Sequence, residues 1–458
     1  MQAILQQLTA MRSYYESGAT QSYLFRKEKL ESLRHALLRY EKEIMLALQT
    51  DLKKNQEETW VTEIGFVLAE ITHTLKHFRH WMQQDKVSTN FLNFPGKSYV
   101  YKEPLGVVLI IGPWNYPLQL LLTPLVGAIA AGNCAVVKPS EFAPATMEIM
   151  KRIIEETFAA NYIFYAEGDG AVVVPLMMNS FRFDHVFYTG STGVGKLIYQ
   201  MAAKQLTPVT LELGGKSPCV VESDADINVA AKRIAMTKFS NAGQMCVAPD
   251  YVLVHQAVKE SFIAALKGSI NKFFSAEPSS SYNYGKIINE KAFNRLVSYL
   301  PQGKIIYGGR YDVEALYIEP TLLEDTPMDA PIMNEEIFGP ILPIIPFETF
   351  EEAKAIINRN PNPLAFYVFT NSREKEAQWL SQISFGGGCV NNASWHLTNF
   401  NLPFGGRGNS GIGAYHGKYS FILFSHQKAV LKTPTWFDPA IKYPPFKGKL
   451  KWFKKLIR

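Results

Sequence analysis

No two of the four cysteines in this chain are close enough in sequence to form a CxxC pair. They are Cys134, Cys219, Cys246 and Cys389. No cluster of histidine and cysteine has the spacing of a metal site, so we expect neither a disulfide scaffold nor a bound metal. The N-terminus also lacks the apolar core and small-residue cleavage site of a secretory signal. These absences predict a reducing, cytoplasmic setting.

Most of the chain has little net charge, because the net positive charge is concentrated at the C-terminus. The formal net charge is +6, yet seven basic side chains and no acid follow Ile441. They are Lys442, Lys447, Lys449, Lys451, Lys454, Lys455 and Arg458. The rest of the chain is nearly neutral and lacks the broad basic surface that a phosphate backbone requires. We therefore expect no nucleic-acid partner.

No charged residue occurs between Pro104 and Val137, a stretch that belongs either to a bilayer span or to a buried core. Apolar runs at Val107–Ile111 and Cys134–Val137 favour short strands, and Leu118–Ala131 favours a helix between them. The segment Trp114–Pro117 breaks the run with an asparagine and a proline. Because strand, turn and helix account for every break, we predict a buried core.

The rest of the chain predicts two α/β domains behind a helical N-terminal layer. A chain of 458 residues with a hydrophobic content of 47% has more apolar residues than one core usually holds. Strands are expected near 162–165 and at 185–189, 218–221 and 251–255; helices near 145–158, 171–178, 194–204, 227–239 and 258–273. Leu30, Leu33, Leu37 and Leu38 have helical spacing. Repeated βα units predict two open, mostly parallel sheets with a cleft between the domains.

Two glycine-rich segments come close to phosphate-binding motifs. Gly190–Lys196 matches a P-loop up to its lysine, but Leu197 replaces the serine or threonine that would ligate magnesium. Gly214–Ser217 has the right ending, but Thr210 stands where the first glycine is required. The spacing GxGxxG is absent as well. The turn near Gly190 thus either binds a phosphate at a helix N-terminus or serves as a simple strand-to-helix turn.

One cysteine differs from the others in its surroundings. Cys246 follows Asn-Ala-Gly-Gln-Met in a loop of small residues, whereas the other three lie in or beside apolar runs. Glu212 ends an apolar, glycine-flanked segment, and burial there would raise its proton affinity toward that of a general base. A surface position for Glu212 is the alternative, and its catalytic role depends on Cys246 lying opposite.

Seven segments in order resemble the signature of aldehyde dehydrogenases. They are Pro113–Pro117, Lys138–Glu141, Thr189–Thr192, Leu211–Lys216, Gly243–Cys246, Glu335–Pro340 and Pro403–Gly406. The short N-terminus, the Cys-Val-Ala-Pro-Asp run and Tyr415–Phe421 are similar to the class 3 branch of fatty and aromatic aldehyde enzymes. The resemblance implies the aldehyde dehydrogenase-like fold, with a Rossmann-like cofactor domain, a catalytic domain and a small oligomerisation arm.

The resemblance also implies the catalytic roles. Cys246 would attack the aldehyde carbon, and the side chain of Asn115 with the Cys246 backbone N–H would hold the oxyanion. Glu212 would activate the water that hydrolyses the thioester.

Cofactor and substrate contacts follow from the same resemblance. Contacts to NAD, with NADP as a second option, are expected from Trp114, Lys138, Glu141, Gly190, Ser191, Val194, Leu213, Glu336 and Phe338. The Glu141 carboxylate would disfavour a 2′-phosphate and so favours NAD. Tyr116, Met245 and Phe404 would line the substrate tunnel. Met245 stands where relatives commonly carry threonine or another small residue, which predicts apolar aldehydes, long-chain or aromatic.

The expected domains are 1–211 for the cofactor, with arm strands near 89–105, and 212–410 for catalysis. Residues 411–430 would return to the arm, which family likeness assigns to a homodimer interface. Residues 431–458 form a basic amphipathic tail that would contact a membrane surface, cover the substrate entrance or remain disordered. A P-loop hydrolase and a catalytically silent structural relative are the alternative functions, and the combination of Cys246, Glu212 and Asn115 argues against the second.

Overall fold

Seventeen α-helices occur in residues 2–457, the part of the chain that the computed structural model describes. Five form the N-terminal layer: α1 (Gln2–Glu16), α2 (Tyr23–Arg39), α3 (Glu41–Leu52), α4 (Gln56–Thr59) and α5 (Gly65–Trp81). The others are α6 (Gln119–Ala131), α7 (Pro144–Thr157), α8 (Gly170–Ser180), α9 (Thr192–Ala203), α10 (Ile227–Phe239), α11 (Lys259–Phe274), α12 (Glu290–Val297), α13 (Pro331–Asn334), α14 (Phe350–Ile357), α15 (Arg373–Gln382), α16 (Lys418–Leu423) and α17 (Leu450–Leu456). A π-helical turn, Trp60–Ile64, joins α4 to α5.

Strands in the same residues form two large sheets and two small ones. They are β1 (Asp85–Val87), β2 (Lys97–Pro104), β3 (Val107–Ile111), β4 (Cys134–Lys138), β5 (Ile163–Tyr165), β6 (His185–Thr189), β7 (Val209–Glu212), β8 (Pro218–Val221), β9 (Tyr251–His255), β10 (Lys304–Tyr307), β11 (Tyr311–Asp312), β12 (Tyr317–Ile318), β13 (Thr321–Glu324), β14 (Ile341–Phe347), β15 (Ala365–Phe369), β16 (Gly387–Val390), β17 (Gly411–Ile412) and β18 (Ser425–Lys432).

The first large sheet has the order β17-β7-β6-β3-β4-β5 and is parallel except for β17. The second has the order β10-β13-β14-β9-β8-β15-β16 and is parallel except at β10. Two open, mostly parallel α/β sheets were expected from the sequence, and the fold class is confirmed. The chain passes from the first sheet to the second between Glu212 and Pro218.

The charge-free stretch forms the interior of the first sheet. Every residue of β3, β4 and α6 is buried, because helices cover both faces of a parallel sheet. Helix α6 begins at Gln119, one residue later than the sequence indicated. Within residues 2–457, no helix combines the length and the apolar character needed to cross a bilayer.

The N-terminal layer packs on this sheet through one face of each helix. Leu30, Leu33 and Leu37 of α2 are fully buried, whereas Leu38 is 46% exposed. Three residues at spacings of three and four share one helical face, and the next position along the chain turns away from it. The buried leucines therefore attach α2 to the domain, and Leu38 does not.

A third sheet, β1-β2-β18, projects as an antiparallel arm. Its strand β2 lies in the region expected to hold arm strands. In the segment 411–430, Gly411 and Ile412 pair with β7 of the first large sheet, and it is Ser425–Lys432 that pairs with β2. Beyond Lys432 the tail is mostly exposed and contains the short helix α17.

Asp51 of α3 caps a helix to which it does not belong. Helix α7 begins after Ala143, whose side chain carries no acceptor. Instead the Asp51 carboxylate accepts hydrogen bonds from the backbone N–H of Ala145 at 3.1 Å and of Thr146 at 2.8 Å. The buried carboxylate thus satisfies the start of α7 and links the N-terminal layer to the first sheet.

We expect Asp51→Ala to destabilise the protein by about 1 to 3 kcal/mol, because two buried N–H groups lose their acceptor. The urea unfolding midpoint, followed by circular dichroism, measures the effect. Asp226→Ala is the matched control, because Asp226 caps its own helix at an exposed position and its loss should cost about 1 kcal/mol. Equal midpoints for wild type and Asp51→Ala would contradict the cap.

Candidate active site

The loops that follow neighbouring strands of the first sheet meet at one edge. Strands β7, β6, β3 and β4 are adjacent and parallel, so their carboxyl ends lie side by side. Glu212 ends β7, Gly190 follows β6, Asn115 follows β3 and Lys138 ends β4. Ligands of open α/β sheets bind at this edge. Residues far apart in sequence are brought together by strand order alone.

The loop that carries Cys246 is held in an unusual backbone conformation. Asn241, Ala242 and Gly243 have φ angles of 49°, 51° and 75°, all in the left-handed region. A side chain at Gly243 would overlap the carbonyl oxygen of Gly339, so glycine is required there. Left-handed non-glycine residues cost about 1 to 3 kcal/mol each and are concentrated at functional sites.

Buried hydrogen bonds compensate for this strain. The Gln244 side chain donates to the carbonyls of Asn241 at 3.0 Å and Lys286 at 2.9 Å, and it accepts from the Ile288 N–H at 3.0 Å. All three bonds hold the residue two positions before the cysteine. The loop is therefore rigid where it presents Cys246.

Cys246 lies on the wall between two cavities. One, with a volume of about 220 Å³, is lined mainly by apolar side chains, including Met245, Tyr116 and Phe404. The other, of about 360 Å³, is lined by Trp114, Glu212 and other residues from the loops after β3, β6 and β7. Cys246 borders both. A thiol in this position can reach a substrate in the first cavity and a ligand in the second.

The surroundings of the Cys246 thiol favour its protonated form. Burial raises its pKa, and the nearby carboxyls of Glu336 and Glu212 raise it further. The backbone N–H groups of Cys246 and Val247 act in the opposite direction but do not reverse the shift. Attack as a thiolate therefore requires a base.

Glu212 has the properties of such a base. Its side chain lies in the same cavity as Cys246 and is 3% exposed. Within the described residues, neither carboxyl oxygen has a hydrogen-bond partner. Burial raises the pKa of Glu212 well above its ordinary value. A buried carboxylate without partners accepts a proton readily near neutral pH. The surface alternative for Glu212 is wrong.

Asn115 lies beside the cysteine loop. Its side-chain Nδ2 donates to the Gln244 carbonyl at 3.1 Å, and its own carbonyl accepts from Asn241 Nδ2 at 3.0 Å. Asn115 also lines the 360 Å³ cavity together with Cys246. The amide thus bonds to the loop two residues before Cys246 and can serve as an oxyanion donor.

The 360 Å³ cavity extends to the N-terminus of helix α9. Helix α9 is capped by Ser191, whose Oγ accepts from the Val194 N–H, and no described atom lies within 4 Å of where a Gly193 Cβ would be. Open space in front of a helix N-terminus suits a pyrophosphate. Opposite it, Glu336 packs so closely on Gly214 that a side chain there would overlap the carboxylate.

The other expected cofactor residues occupy two places. Trp114 and Phe338 contact edge to face in the cavity wall, with ring centroids 5.4 Å apart, and Leu213 lines the same wall. Lys138 and Glu141 form a separate pair, Nζ to Oε2 at 3.0 Å. Burial opposes ionisation of Glu141, but hydrogen bonds from backbone N–H groups and from Lys138 lower its pKa overall.

Several residues of the site gave no signal in the sequence. Arg295 of α12 donates to the carbonyls of Glu336 at 3.1 Å and Ile337 at 2.7 Å, and so fixes the backbone of the cofactor loop. The apolar cavity is completed by residues of the π-helical turn, of α5, α6 and α10, and of the segments 394–398 and 415–416. These residues include Val61, Thr62, Phe66, Leu120, Met236, Trp395, Leu397, Tyr415 and His416. The helical pattern of the N-terminal layer indicated packing alone.

A family model described as "Aldehyde dehydrogenase family" matches residues 4–430. The chain therefore belongs to the aldehyde dehydrogenase family and oxidises aldehydes with NAD or NADP. The P-loop hydrolase and the silent structural relative are thereby ruled out as its function.

Individual relatives and a solved structure indicate which branch of the family the chain resembles. The chain is 46% identical to the 4,4'-diaponeurosporen-aldehyde dehydrogenase of Staphylococcus aureus, with all of both chains covered. It is 42% identical to the aldehyde dehydrogenase family 3 member H1 of Arabidopsis thaliana, covering 98% of this chain and 94% of that one. The class 3 resemblance is confirmed. The substrate-bound structure of Staphylococcus aureus AldH superposes with a TM-score of 0.97 at 46% identity, covering 99% of each chain.

We expect Cys246 of the ligand-free protein to react slowly with iodoacetamide at neutral pH, because burial keeps its thiol protonated. The rate should still rise about tenfold per pH unit above the pKa of about 8.5 at which a free thiol levels off. Mass mapping of alkylated peptides over a pH series measures it, with Cys246→Ser as the control. A plateau near neutral pH would show that the thiolate is already formed.

Proposed function

We propose that Cys246, Glu212 and Asn115 carry out the oxidation of apolar aldehydes in this protein. The position of Cys246 between an apolar cavity and a polar groove is the observation that supports this most strongly. The aldehyde enters the apolar cavity, and Glu212 accepts the thiol proton as sulfur adds to the carbonyl carbon. Asn115 Nδ2 and the Cys246 N–H donate to the oxyanion of the resulting thiohemiacetal.

The second half-reaction uses the same residues. Bound NAD or NADP supplies the acceptor for the hydride that leaves the thiohemiacetal carbon. The product on Cys246 is a thioester. Glu212 first releases the proton it took from the thiol to solvent, and it then opens the thioester by taking a proton from an attacking water. Sulfur leaves, the carboxylic acid is released, and the thiol is restored. One carboxyl group of raised pKa can serve both steps because it alternates between its two protonation states.

The cofactor would lie in the groove between the loops after β3, β6 and β7. Gly190, Ser191 and Val194 would hold the pyrophosphate at the start of α9, and Glu336 with Phe338 would hold the nicotinamide end. Lys138 and Glu141 would contact the adenosine ribose. Since the low pKa of Glu141 keeps its carboxylate charged, a 2′-phosphate is repelled there, and NAD is preferred over NADP.

We also propose roles for the domains, the arm and the tail. Residues 1–211 form the cofactor domain and 212–410 the catalytic domain, and the β1-β2-β18 arm joins two copies into a homodimer. The tail beyond Lys432 exposes Trp436, Tyr443, Phe446 and Trp452 among its lysines. Aromatic and basic side chains together favour contact with an anionic membrane surface from the cytoplasmic side.

The proposed mechanism separates the roles of Glu212 and Cys246. We expect Glu212→Gln to reduce one equivalent of nicotinamide in its first turnover about 100-fold more slowly or worse, because the variant lacks the base for thiol attack. Later turnovers should be slower still, because the thioester accumulates. Cys246→Ser should give no first turnover. Stopped-flow absorbance and intact mass of the acyl-enzyme measure both.

Glu222→Gln provides the control, because Glu222 is also a buried carboxylate after a strand, but one that is paired with Lys375 and Trp379. It should keep most of the activity. Full steady-state turnover by either Glu212→Gln or Cys246→Ser would contradict the mechanism.

The length of the aldehyde's carbon chain should control kcat/KM. Each CH₂ buried in the apolar cavity stabilises the complex by about 0.8 kcal/mol, so kcat/KM should rise about fourfold per carbon until the cavity is filled. Met245→Thr should flatten this series, whereas Met147→Thr on α7 should not. A series of straight-chain and aromatic aldehydes measures it, and equal or better turnover of short polar aldehydes would contradict the apolar preference.

The tail gives a separate prediction. Removal of residues after Ile441 should abolish cosedimentation with vesicles containing phosphatidylserine, and salt should weaken binding of the full chain, since each basic residue contributes about 1 kcal/mol. Charge reversal at Lys451, Lys454 and Lys455 is the control that keeps the aromatic residues. Unchanged vesicle binding after truncation would contradict membrane contact.

A further inference from the structure

A buried ion pair lies directly beneath the Asn115 loop. Lys54 is 1% exposed, and its ammonium contacts the Glu63 carboxylate at 2.7 Å. The same ammonium donates to the carbonyl oxygen of Asn115 at 2.8 Å and lies 3.8 Å from the centre of the Tyr116 ring. A lysine of the N-terminal layer thus binds the backbone of the proposed oxyanion donor.

The other partner of the pair holds the far end of the same loop. The second Glu63 oxygen accepts from the backbone N–H of Leu118 at 3.2 Å and of Gln119 at 2.9 Å, where α6 begins. Glu63 itself comes from the π-helical turn, a feature often found at functional sites. The ion pair therefore fixes the segment 115–119 at both ends.

This fixed segment is joined to the nucleophile loop. The Asn115 carbonyl accepts from Lys54 and from Asn241 Nδ2, while Asn115 Nδ2 donates to Gln244. Two donors converging on one carbonyl determine where the peptide of residue 115 lies relative to the loop of Cys246. Small displacements of an oxyanion donor cost much of its effect, because the bond must match the developing charge.

Stability alone is a weak reason for such a pair. Buried ion pairs are costly to desolvate, and apolar replacements of similar volume are often equally stable. The two charged groups here also bind the backbone of a single active-site loop. The Lys54 ammonium donates to the Asn115 carbonyl, and Glu63 accepts from the N–H groups of Leu118 and Gln119.

We propose that Lys54, acting with Glu63, is a positioning residue that aims the Asn115 amide at the oxyanion, an inference that rests on the proposed function. Lys54 lines neither the apolar cavity nor the 360 Å³ cavity. Its effect should therefore pass entirely through Asn115, and it should change the chemical step rather than binding.

A double-mutant cycle tests this with the NAD-bound enzyme and an apolar aldehyde. The single-turnover rate of nicotinamide reduction is measured for Lys54→Met, Asn115→Ala and both together. We expect Asn115→Ala to slow the step about 100-fold or more, the usual effect of losing an oxyanion donor. Lys54→Met should slow it about 10- to 100-fold with little change in KM, yet add less than about twofold to Asn115→Ala.

Controls separate positioning from general damage. Lys375→Met removes a lysine that also lies 2.7 Å from a buried carboxylate, that of Glu222, and should leave the rate unchanged. Thermal unfolding and NAD binding are measured for every variant. Should Lys54→Met fail to fold, Lys54→Gln, which keeps one donor but no charge, takes its place in the cycle, with a smaller loss expected.

The possible results distinguish the two proposals. Equal losses from the lysine substitution in the wild-type and Asn115→Ala backgrounds would overturn the positioning role and leave the mechanism standing. An Asn115→Ala enzyme with full rate would remove the oxyanion role, and the inference about Lys54 with it. A loss confined to the wild-type background supports both.

Discussion

The rest of this structure depends on one constraint: a sulfur atom must face an apolar chamber and a polar groove at once. Cys246 meets it because its loop lies where the two large sheets adjoin. A cysteine on a regular helix or strand would be covered on one side by its own element. The strained, glycine-dependent turn at Asn241–Gly243 lifts it out of that packing, and the buried side chain of Gln244 stabilises the result.

Electrostatics then decides when that sulfur reacts. The thiol, Glu212 and Glu336 are close together in a buried region, and both carboxyls raise the proton affinity of the thiol. Burial and the Asp250 carboxylate raise the pKa of Glu336 to about 8. Burial thus disfavours negative charge on all three groups. Preorganised donors on Asn115 and the loop backbone can stabilise the charge that develops during reaction without further rearrangement.

The N-terminal layer has more than a packing role in this arrangement. Its α2 attaches through buried leucines, as amphipathic helices commonly do, but the π-helical turn and α5 also reach the site. They supply part of the apolar chamber, and Glu63 of the turn pairs with Lys54 under the Asn115 loop. Substrate fit and oxyanion geometry are thus built partly from a segment that precedes both sheets.

Most of the fold was accessible from the sequence because buried parallel strands are short, apolar and separated by helices. The strands at 185–189, 218–221 and 251–255 and the helix at 227–239 lie at the predicted positions. The remaining strands from β10 onward were not predicted, since several are short or partly exposed and have little hydrophobic contrast. Leu38 has the right spacing in sequence but lies on the exposed face of α2.

The residues of the site also fall into two groups: those that the sequence indicated and those that only the tertiary structure revealed. Local chemistry and motif order in the sequence determined which thiol, carboxylate and amide were of interest, because small residues around Cys246 and apolar residues around Glu212 are visible in one dimension. Tertiary structure alone decided that Glu212 is buried beside Cys246 and that Arg295 holds the cofactor loop. It also decided that Lys54 binds the Asn115 carbonyl. These contacts join residues tens of positions apart, and strand order and helix packing, not local sequence, bring them together.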